Sequence, residues 1–118
     1  MNFNTARRRC EQLNGRLAEP RNQQQFDRIT LLIRERHWLG ATDLNEEGVW
    51  RWNSDDTIFS NDHPFWNNAT NGPNNRGDFG GEDCMQFLRP GLNDDECSSV
   101  FPFICEFGAI GNARLCTQ

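Results

Sequence analysis

The chain has 118 residues, which is long enough for one domain with a buried core. Its net charge of −5 argues against a nucleic-acid partner, because proteins that bind nucleic acids usually present a basic surface. No apolar run is long enough to span a bilayer, and no apolar signal-peptide stretch follows Met1. We therefore expect a single domain over residues 1–118, without a membrane span.

The five cysteines are typical of a disulfide-bonded protein from an oxidising compartment. Their spacing alone does not select the pairs. A structural zinc site is the competing interpretation, but the chain contains no Cys-x-x-Cys pair.

The first predicted element is a helix over residues 2–14. Its apolar residues recur at steps of three and four, as in Phe3, Ala6 and Cys10, which places them on one helical face. Asn4 is a candidate for the residue that caps the start of this helix.

A second helix is predicted to begin after Asn22, which can cap it, and to end near Arg36. Phe26 and Ile29 belong to its apolar stripe. His37 is expected to end this helix, where a cation interacts favourably with the helix dipole.

Strands are predicted after the second helix, where the hydrophobic period changes. They cover residues 38–42, 49–52, 82–88 and 101–107, with a polar turn around Cys97 before the last of them. Residues 53–81 show no periodicity, and a loop of that length inside a compact domain is usually functional. The four tryptophans, Trp38, Trp50, Trp52 and Trp66, are expected in the core, and Trp66 is also a candidate for stacking on a sugar.

Oxygen-bearing side chains are concentrated between residues 71 and 105, among Gly and Pro. They are Asn74, Asn75, Asp78, Glu82, Asp83, Asn93, Asp94, Asp95 and Glu96. Carboxylate and amide oxygens on a backbone that can bend are the ligands that Ca²⁺ prefers. The sequence therefore predicts a calcium-binding loop.

Several short motifs occur in a defined order along the chain. They are Phe3, Ala6 and Cys10, then Leu-Asn-Gly-Arg-Leu-Ala at 13–18, Trp38-Leu39-Gly40, the Trp50/Trp52 pair, Gly81-Glu82-Asp83-Cys84, Leu92-Asn93-Asp94 before Cys97, and Phe103-Ile104-Cys105-Glu106. Together they resemble the C-type lectin-like domain family over residues 3–107. The resemblance implies an α+β fold in which two helices flank two small antiparallel sheets and a long irregular loop carries the binding site. Residues 108–118 are expected to form a weakly ordered tail.

The resemblance also implies two disulfides, Cys10 with Cys105 and Cys84 with Cys97. In the chain-entropy model, the first would stabilise the fold by roughly 4–5 kcal/mol because it closes a long loop. Cys116 remains outside these pairs, either as an interchain disulfide that links a dimer or as a free or capped thiol.

In sugar-binding members of this family, one calcium site uses a Glu-Pro-Asn triplet, a downstream Glu and an Asn-Asp pair. The matching residues here are Asn74, Glu82, Asn93 and Asp94, which would hold both the metal and the sugar. Gly72 stands where the first carboxylate of the triplet is usual.

The loss of that carboxylate should weaken calcium binding, and Asp78 is the candidate substitute. A second calcium site in some members lies close by. The residues that resemble its ligands are Asp43, Glu47, Asn75, Glu82 and Asp83.

The function implied by the resemblance is that of a secreted or extracellular lectin domain acting in innate immunity. It would bind glycans in a calcium-dependent manner, with mannose-type or microbial surface sugars as ligands. The neutral hydroxyls of a sugar can bind a Ca²⁺ with open coordination positions, and amides and carboxylates can hydrogen-bond them. Affinity at one site should be weak, so useful binding would need several copies.

Three other interpretations are open. The crowded acids Glu82, Asp94, Asp95 and Glu96 could supply a glycosidase pair, but no hydrolase motif is present and we expect no enzyme. A domain of the same fold could bind a protein or another surface without a calcium-bound sugar. Zn²⁺ could replace Ca²⁺, with His63 beside Asp62 as a candidate ligand and an ordinary loop histidine as the alternative.

Overall fold

The computed structural model describes residues 1–67 and 82–118. Gly72, Asn74, Asn75 and Asp78 therefore lie outside the described residues. The elements, in chain order, are α1 (Phe3–Gln12), β1 (Arg16–Leu17), α2 (Gln23–Leu32), β2 (His37–Thr42), β3 (Trp50–Trp52), β4 (Ile58–Phe59), β5 (Cys84–Leu88), β6 (Gly91–Asp95), β7 (Ile104–Phe107) and β8 (Arg114–Thr117).

Helix α1 begins one residue after Asn2, which is its cap. The Asn2 side chain accepts a hydrogen bond from the backbone N–H of Thr5 at 2.9 Å, so the expectation for Asn4 was wrong. Phe3, Ala6 and Cys10 are buried, as the spacing predicted.

Helix α2 is shorter at its end than the prediction. Asn22 caps its start by accepting from Gln25 N–H at 2.9 Å, but the helix ends at Leu32. Ile33 takes an extended conformation and is buried, so the chain turns into the core there. His37 consequently belongs to β2 and does not end the helix.

The larger sheet has five antiparallel strands in the order β4-β3-β2-β5-β6. Strand β6 was not predicted: Gly91–Asp95 pairs with β5 over its whole length, and the expected polar turn with Cys97 follows it. Its Asn and Asp residues resemble a turn in sequence, but they alternate across a paired strand in the structure.

The smaller sheet has the order β1-β7-β8. The tail that we expected to be weakly ordered contains β8, which pairs with β7 at four positions from Ile104↔Thr117 to Phe107↔Arg114. Leu115 of β8 is partly buried against the core, and this apolar contact helps to anchor the strand.

Two disulfides join these elements, and they are the pairs that the resemblance implies. Cys10–Cys105 ties α1 to β7 across 95 positions of sequence, and Cys84–Cys97 joins β5 to the turn after β6. Cys116 is a free, exposed cysteine. The second disulfide holds the β5–β6 hairpin, where several of the predicted metal ligands lie.

The four tryptophans are all buried, which confirms their expected place in the core. Trp66 packs edge-to-face against Trp50 at 5.2 Å between ring centroids and is only 4% exposed. Its indole N–H donates to Ser60 O at 2.9 Å. A ring enclosed in this way cannot stack on a sugar, so that suggestion for Trp66 was wrong.

A buried carboxylate connects the two sheets. Glu19 is fully buried and follows β1, and its oxygens accept hydrogen bonds from the Arg21 guanidinium at 2.7 Å and from the Ser54 hydroxyl and N–H at 2.7 and 3.0 Å. Ser54 lies in the turn between β3 and β4. Glu19 N–H in turn donates to the Glu106 carboxylate of β7 at 2.7 Å. The network holds the β3–β4 turn against the smaller sheet.

Candidate metal centre

Three carboxylates meet beside the end of β2. Asp43, Glu47 and Asp83 each offer an oxygen, and these oxygens lie within 4.8 Å of one another. Asp43 is buried, Asp83 is partly buried and Glu47 is exposed. One side of the group therefore faces the protein and the other faces solvent.

Backbone hydrogen bonds fix the positions of these carboxylates. Asp43 follows β2 directly, and its N–H donates to Asp83 O at 3.1 Å. Asp83 precedes β5, which is the neighbour of β2 in the sheet. The loop after Asp43 folds back so that Gly48 N–H donates to Asp43 Oδ2 at 3.0 Å. Glu47, the residue before Gly48, therefore lies close to Asp43.

One oxygen of each aspartate receives no hydrogen bond from an N–H or hydroxyl group of the described residues. Asp43 Oδ1 and Asp83 Oδ1 are buried, and no hydrogen-bond donor reaches either atom from the described parts of the chain. An unpaired buried acceptor costs about 1–3 kcal/mol. A cation that binds both atoms would remove that cost.

Burial and mutual repulsion keep protons on this cluster. Burial, together with the neighbouring Asp83 and Glu47, raises the pKa of Asp43 from its ordinary 3.8 to about 8. Burial raises the pKa of Asp83 as well, and the charges of Glu47 and Asp94 add to that effect. Three acids that cannot all be ionised together are a suitable ligand set for a divalent hard cation.

Two predicted ligands of the first calcium site lie on β6. Asn93 and Asp94 are buried, and the Asn93 amide donates to Gln86 Oε1 at 3.2 Å and to Asp94 O at 3.0 Å. Asp94 is close enough to Asp83 to raise its pKa. Glu82 is partly buried and precedes Asp83. The described members of both predicted sites, Glu82, Asn93, Asp94, Asp43, Glu47 and Asp83, thus lie on or near the β2–β5–β6 part of the sheet.

The remaining predicted ligands, Asn74, Asn75 and the substitute Asp78, lie outside the described residues. The chain that leads to them is tied to the same hairpin. Asn67 N–H donates to Leu92 O at 2.8 Å, and its side chain donates to Leu88 O at 2.5 Å. Asn67, the last described residue before them, is therefore fixed beside β6.

Sequence reasoning missed Asn67 and Gln86 as supporting residues. Both are buried polar side chains that contact the hairpin. A polar residue at an inward position of a strand is the signal for Gln86, but strand register was needed to recognise it.

His63 is not part of the carboxylate group. Within residues 1–67 and 82–118, the cluster of Asp43, Glu47 and Asp83 is the one group of three potential acidic, His or Cys ligands. His63 stacks on Phe59 with 4.5 Å between ring centroids, and burial lowers its pKa. The described residues give zinc binding through His63 no support.

The chain is similar to known proteins of one family. The family model for the Lectin C-type domain matches residues 1–107. The CD209 antigen-like protein 2 of Macaca mulatta is 38% identical over 77 residues, which is 65% of this chain and 28% of that protein. The chain thus spans less than a third of the length of that relative.

Solved structures of carbohydrate-recognition domains are also similar. The mouse scavenger receptor C-type lectin domain superposes with a TM-score of 0.77 at 29% identity, covering 88% of this chain and 80% of that one. The domain of cow CD23, solved in the presence of a GlcNAc2Man3 oligosaccharide, gives a TM-score of 0.72 at 30% identity, covering 84% and 73%.

No helix among the described residues is long and apolar enough to cross a membrane. Lectin C-type domains are not enzymes, so the acids of the β5–β6 hairpin are not interpreted as a glycosidase pair. The two helices, the two antiparallel sheets and the match over residues 1–107 show that the chain belongs to the C-type lectin domain family.

Proposed function

We propose that this domain binds glycans through Ca²⁺ held beside the β5–β6 hairpin. The observation that carries the proposal is the group Asp43, Glu47 and Asp83, with two buried oxygens that no donor from the described residues reaches. Buried carboxylates are retained where they are paired or hold a cation.

The proposed metal ligands form two neighbouring sets. Asp43, Glu47, Asp83 and Asn75 would hold a structural ion. Glu82 would be a ligand in both sets. Asn74, Glu82, Asn93 and Asp94 would hold the ion that contacts the sugar. Ca²⁺ supplies open coordination positions for two neighbouring hydroxyls, which offsets part of their desolvation.

The residues of the second set would orient the sugar. Amide groups can donate to sugar oxygens, and carboxylates can accept from hydroxyl hydrogens. In the family that the motifs resemble, an Asn at the position of Asn74 is typical of mannose-type rather than galactose-type ligands. A related cow domain was solved in the presence of an oligosaccharide that contains mannose, which supports this class of ligand.

Gly72 favours a second candidate function. A site with one carboxylate fewer should hold calcium less tightly, because affinity follows ligand charge. In the alternative, the domain binds a protein or another surface without calcium. Asp78 is the residue that would compensate for Gly72 if the sugar site is intact.

The two disulfides support an extracellular or secreted location, since such bonds persist in oxidising compartments. Sugars on microbial or cell surfaces are the proposed partners there. Cys116 is exposed on β8, where it can form an interchain disulfide. Such a dimer would raise the avidity for repeated glycans.

Retention on mannose-bearing beads tests the proposal. We expect the wild-type domain to bind in Ca²⁺ and to elute with EDTA, while Zn²⁺ supports less retention. Gly72→Glu adds a charged ligand and should strengthen retention up to about tenfold, equivalent to about 1.4 kcal/mol. Gly72→Gln is the matched control, because it adds the same volume without the charge.

Two results would decide against the calcium-dependent lectin. Retention that is equal in Ca²⁺ and EDTA would support the calcium-independent alternative. A folded domain that is not retained on any sugar under either condition would overturn sugar binding altogether. If Asp78→Ala destroys retention while Gly72→Glu has no effect, Asp78 already supplies the third carboxylate.

A further inference from the structure

Strand β8 forms an open edge of the smaller sheet, because β7 is its one neighbour among the described strands. An open edge presents unpaired N–H and C=O groups to other chains, and proteins usually protect it with charges, Pro or a covering segment. Strand β8 has one charged residue, Arg114, which is followed by Leu115, Cys116 and Thr117. Its sequence therefore gives this edge little protection against pairing.

The other sheet edges are shorter or covered. Strands β1 and β4 have two residues each. On β6, Leu92 N–H donates to Phe65 O at 2.7 Å, and Leu92 O accepts from Asn67 N–H at 2.8 Å, so residues 65–67 cover that edge. Among the described residues, β8 is thus the one edge of four or more residues without such a cover.

Two hydrogen bonds show in which direction the backbone groups of β7 point. Ile104 O accepts from Ala18 N–H at 2.9 Å, so Ile104 directs its backbone groups toward β1. Phe103 O accepts from Gln118 N–H at 3.0 Å, on the side of β8. Because these directions alternate along a strand, Cys105 directs its N–H and C=O toward β8.

The pairing of β7 with β8 then gives the direction of the groups on β8. Cys116 lies opposite Cys105, so its N–H and C=O point inward to β7. The residues on either side, Leu115 and Thr117, direct theirs outward, away from the sheet. No described residue pairs with these outward groups.

Exposed apolar side chains lie beside this edge on two sides. A groove of about 320 Å³ between α2 and β8 is lined by Leu31, Leu32 and Leu115, and Leu31 is 86% exposed. A second pocket of about 450 Å³ near the end of α1 is lined by Leu13 and Phe107. Clustered apolar side chains on a surface are typical of a protein–protein contact.

A second copy of the chain matches the edge. Two β8 strands can run antiparallel about a two-fold axis, which is the usual symmetry of homodimers. With the axis at Cys116, Leu115 lies opposite Thr117 of the second copy, and the outward groups form four backbone hydrogen bonds. The two Arg114 residues are then four positions apart along the strands, about 14 Å, so their charges are not opposed.

The same register suits a disulfide at Cys116. This residue would form a non-hydrogen-bonded pair with its copy, and the Cα atoms of such a pair lie about 4.5 Å apart. A disulfide spans about 4.4–6.8 Å between Cα atoms. Cys116 is free and exposed, so its thiol can report the register.

We propose that β8 is a dimerisation edge, on which two copies of this chain pair their β8 strands antiparallel about Cys116. The two smaller sheets would join into one sheet of six strands, and the outward groups of Leu115 and Thr117 would be paired. Backbone pairing sets the arrangement of the two domains, and a disulfide only locks it. The dimer does not depend on the metal site, because Asp43, Glu47 and Asp83 lie beside the larger sheet.

Cross-linking of the purified domain by oxidised glutathione tests the register. Two Cys116 thiols are oxidised to one S–S bond, while one glutathione disulfide gains their electrons and protons and becomes two thiols. The double variant Arg114→Cys/Cys116→Ser moves the thiol two residues along the same face. We expect it to cross-link at least about tenfold more slowly than the wild type, because about 14 Å exceeds the reach of a disulfide. Equal rates would indicate random collision and would overturn the proposal.

Thr117→Pro tests the backbone pairing separately. It removes an N–H that points away from β7, and Pro is tolerated on the solvent side of an edge strand. Cross-linking through Cys116 should slow to the rate of the double variant. Thr117→Val is the matched control, because it keeps the N–H and the branched shape, and it should cross-link like the wild type. An undiminished rate in Thr117→Pro would contradict pairing through β8.

Hydrogen exchange decides the case in which Thr117→Pro does not fold. In the dimer cross-linked through Cys116, the Leu115 and Thr117 amides should exchange about 5–10-fold more slowly than in the Cys116→Ser monomer, as expected for one added hydrogen bond. Gln118 N–H, which already bonds to Phe103 O, should exchange equally in both. Unchanged exchange at Leu115 and Thr117, or no cross-linked dimer at all, would overturn the proposal without affecting calcium-dependent sugar binding.

Discussion

At the residue scale, the metal site is indicated by a buried carboxylate whose neighbours are other carboxylates. Asp43 is only 3% exposed, yet its neighbours are other carboxylates and its Oδ1 lacks a donor from the described residues. Glu19 is equally buried but is fully bonded to Arg21 and Ser54. We propose that the first carboxylate binds a cation, while the second supports the fold.

The raised pKa of Asp43 predicts how stability depends on pH without calcium. The folded state holds a proton up to about pH 8, whereas the unfolded chain releases it near pH 3.8. Stability in EDTA should therefore decrease as pH rises from about 4 through about 8. We expect the Tm to fall by at least about 5 °C over this range, equivalent to about 1 kcal/mol in a domain of this size.

Substitution of Asp43 tests the origin of that pH dependence. Asp43→Asn should flatten the curve, and Asp27→Asn, on the exposed side of α2, should leave it unchanged. An unchanged slope in Asp43→Asn would show that another group is responsible. In Ca²⁺ the wild-type affinity should rise with pH, because the metal competes with the proton.

At the scale of elements, hydrogen bonds and disulfides place the site on a rigid support. The β5–β6 hairpin is held by Cys84–Cys97 and by its pairing with β2. The β3–β4 turn is fixed through Glu19. The positions of binding residues in loops thus depend on a few buried contacts that fix the loops to the strands.

Glu19→Gln is the corresponding prediction. The amide of Gln would place a donor where the Arg21 and Ser54 donors need an acceptor. We expect a loss of about 2–3 kcal/mol in the free energy of unfolding, measured by urea denaturation. Asp55→Asn removes a charge that binds the same guanidinium at an exposed position, and its effect should be smaller. An equal effect of both variants would contradict the role given to Glu19.

At the scale of the whole molecule, much of the fold could be predicted from the sequence. Apolar residues at steps of three and four identify both helices, and the tryptophan motifs mark β2 and β3. The disulfide pairs required the family resemblance, because cysteine spacing alone allows many arrangements.

Four of the eight strands were not predicted, for physical reasons. β1 and β4 have only two residues each, too few for an alternating pattern to be seen. In β6, Asn93, Asp94 and Asp95 have a low intrinsic strand preference, and pairing with β5 overrides it. Strand β8 is mostly exposed and lacks a strong alternating pattern, so it is defined by its pairing with β7. For the site, sequence could name the acids, but only the fold shows that Asp43 meets Asp83 across β2 and β5.

Calorimetric titration of the metal-free domain with Ca²⁺ tests the central claim most directly. The carboxylate cluster predicts saturable binding, with release of the proton held by Asp43, and a stabilisation of about 2.7 kcal/mol when Ca²⁺ reaches 100 times its Kd. The matched variant Asp83→Asn should bind Ca²⁺ more weakly. A folded domain that shows neither heat of binding nor a change in Tm at millimolar Ca²⁺ would contradict the account.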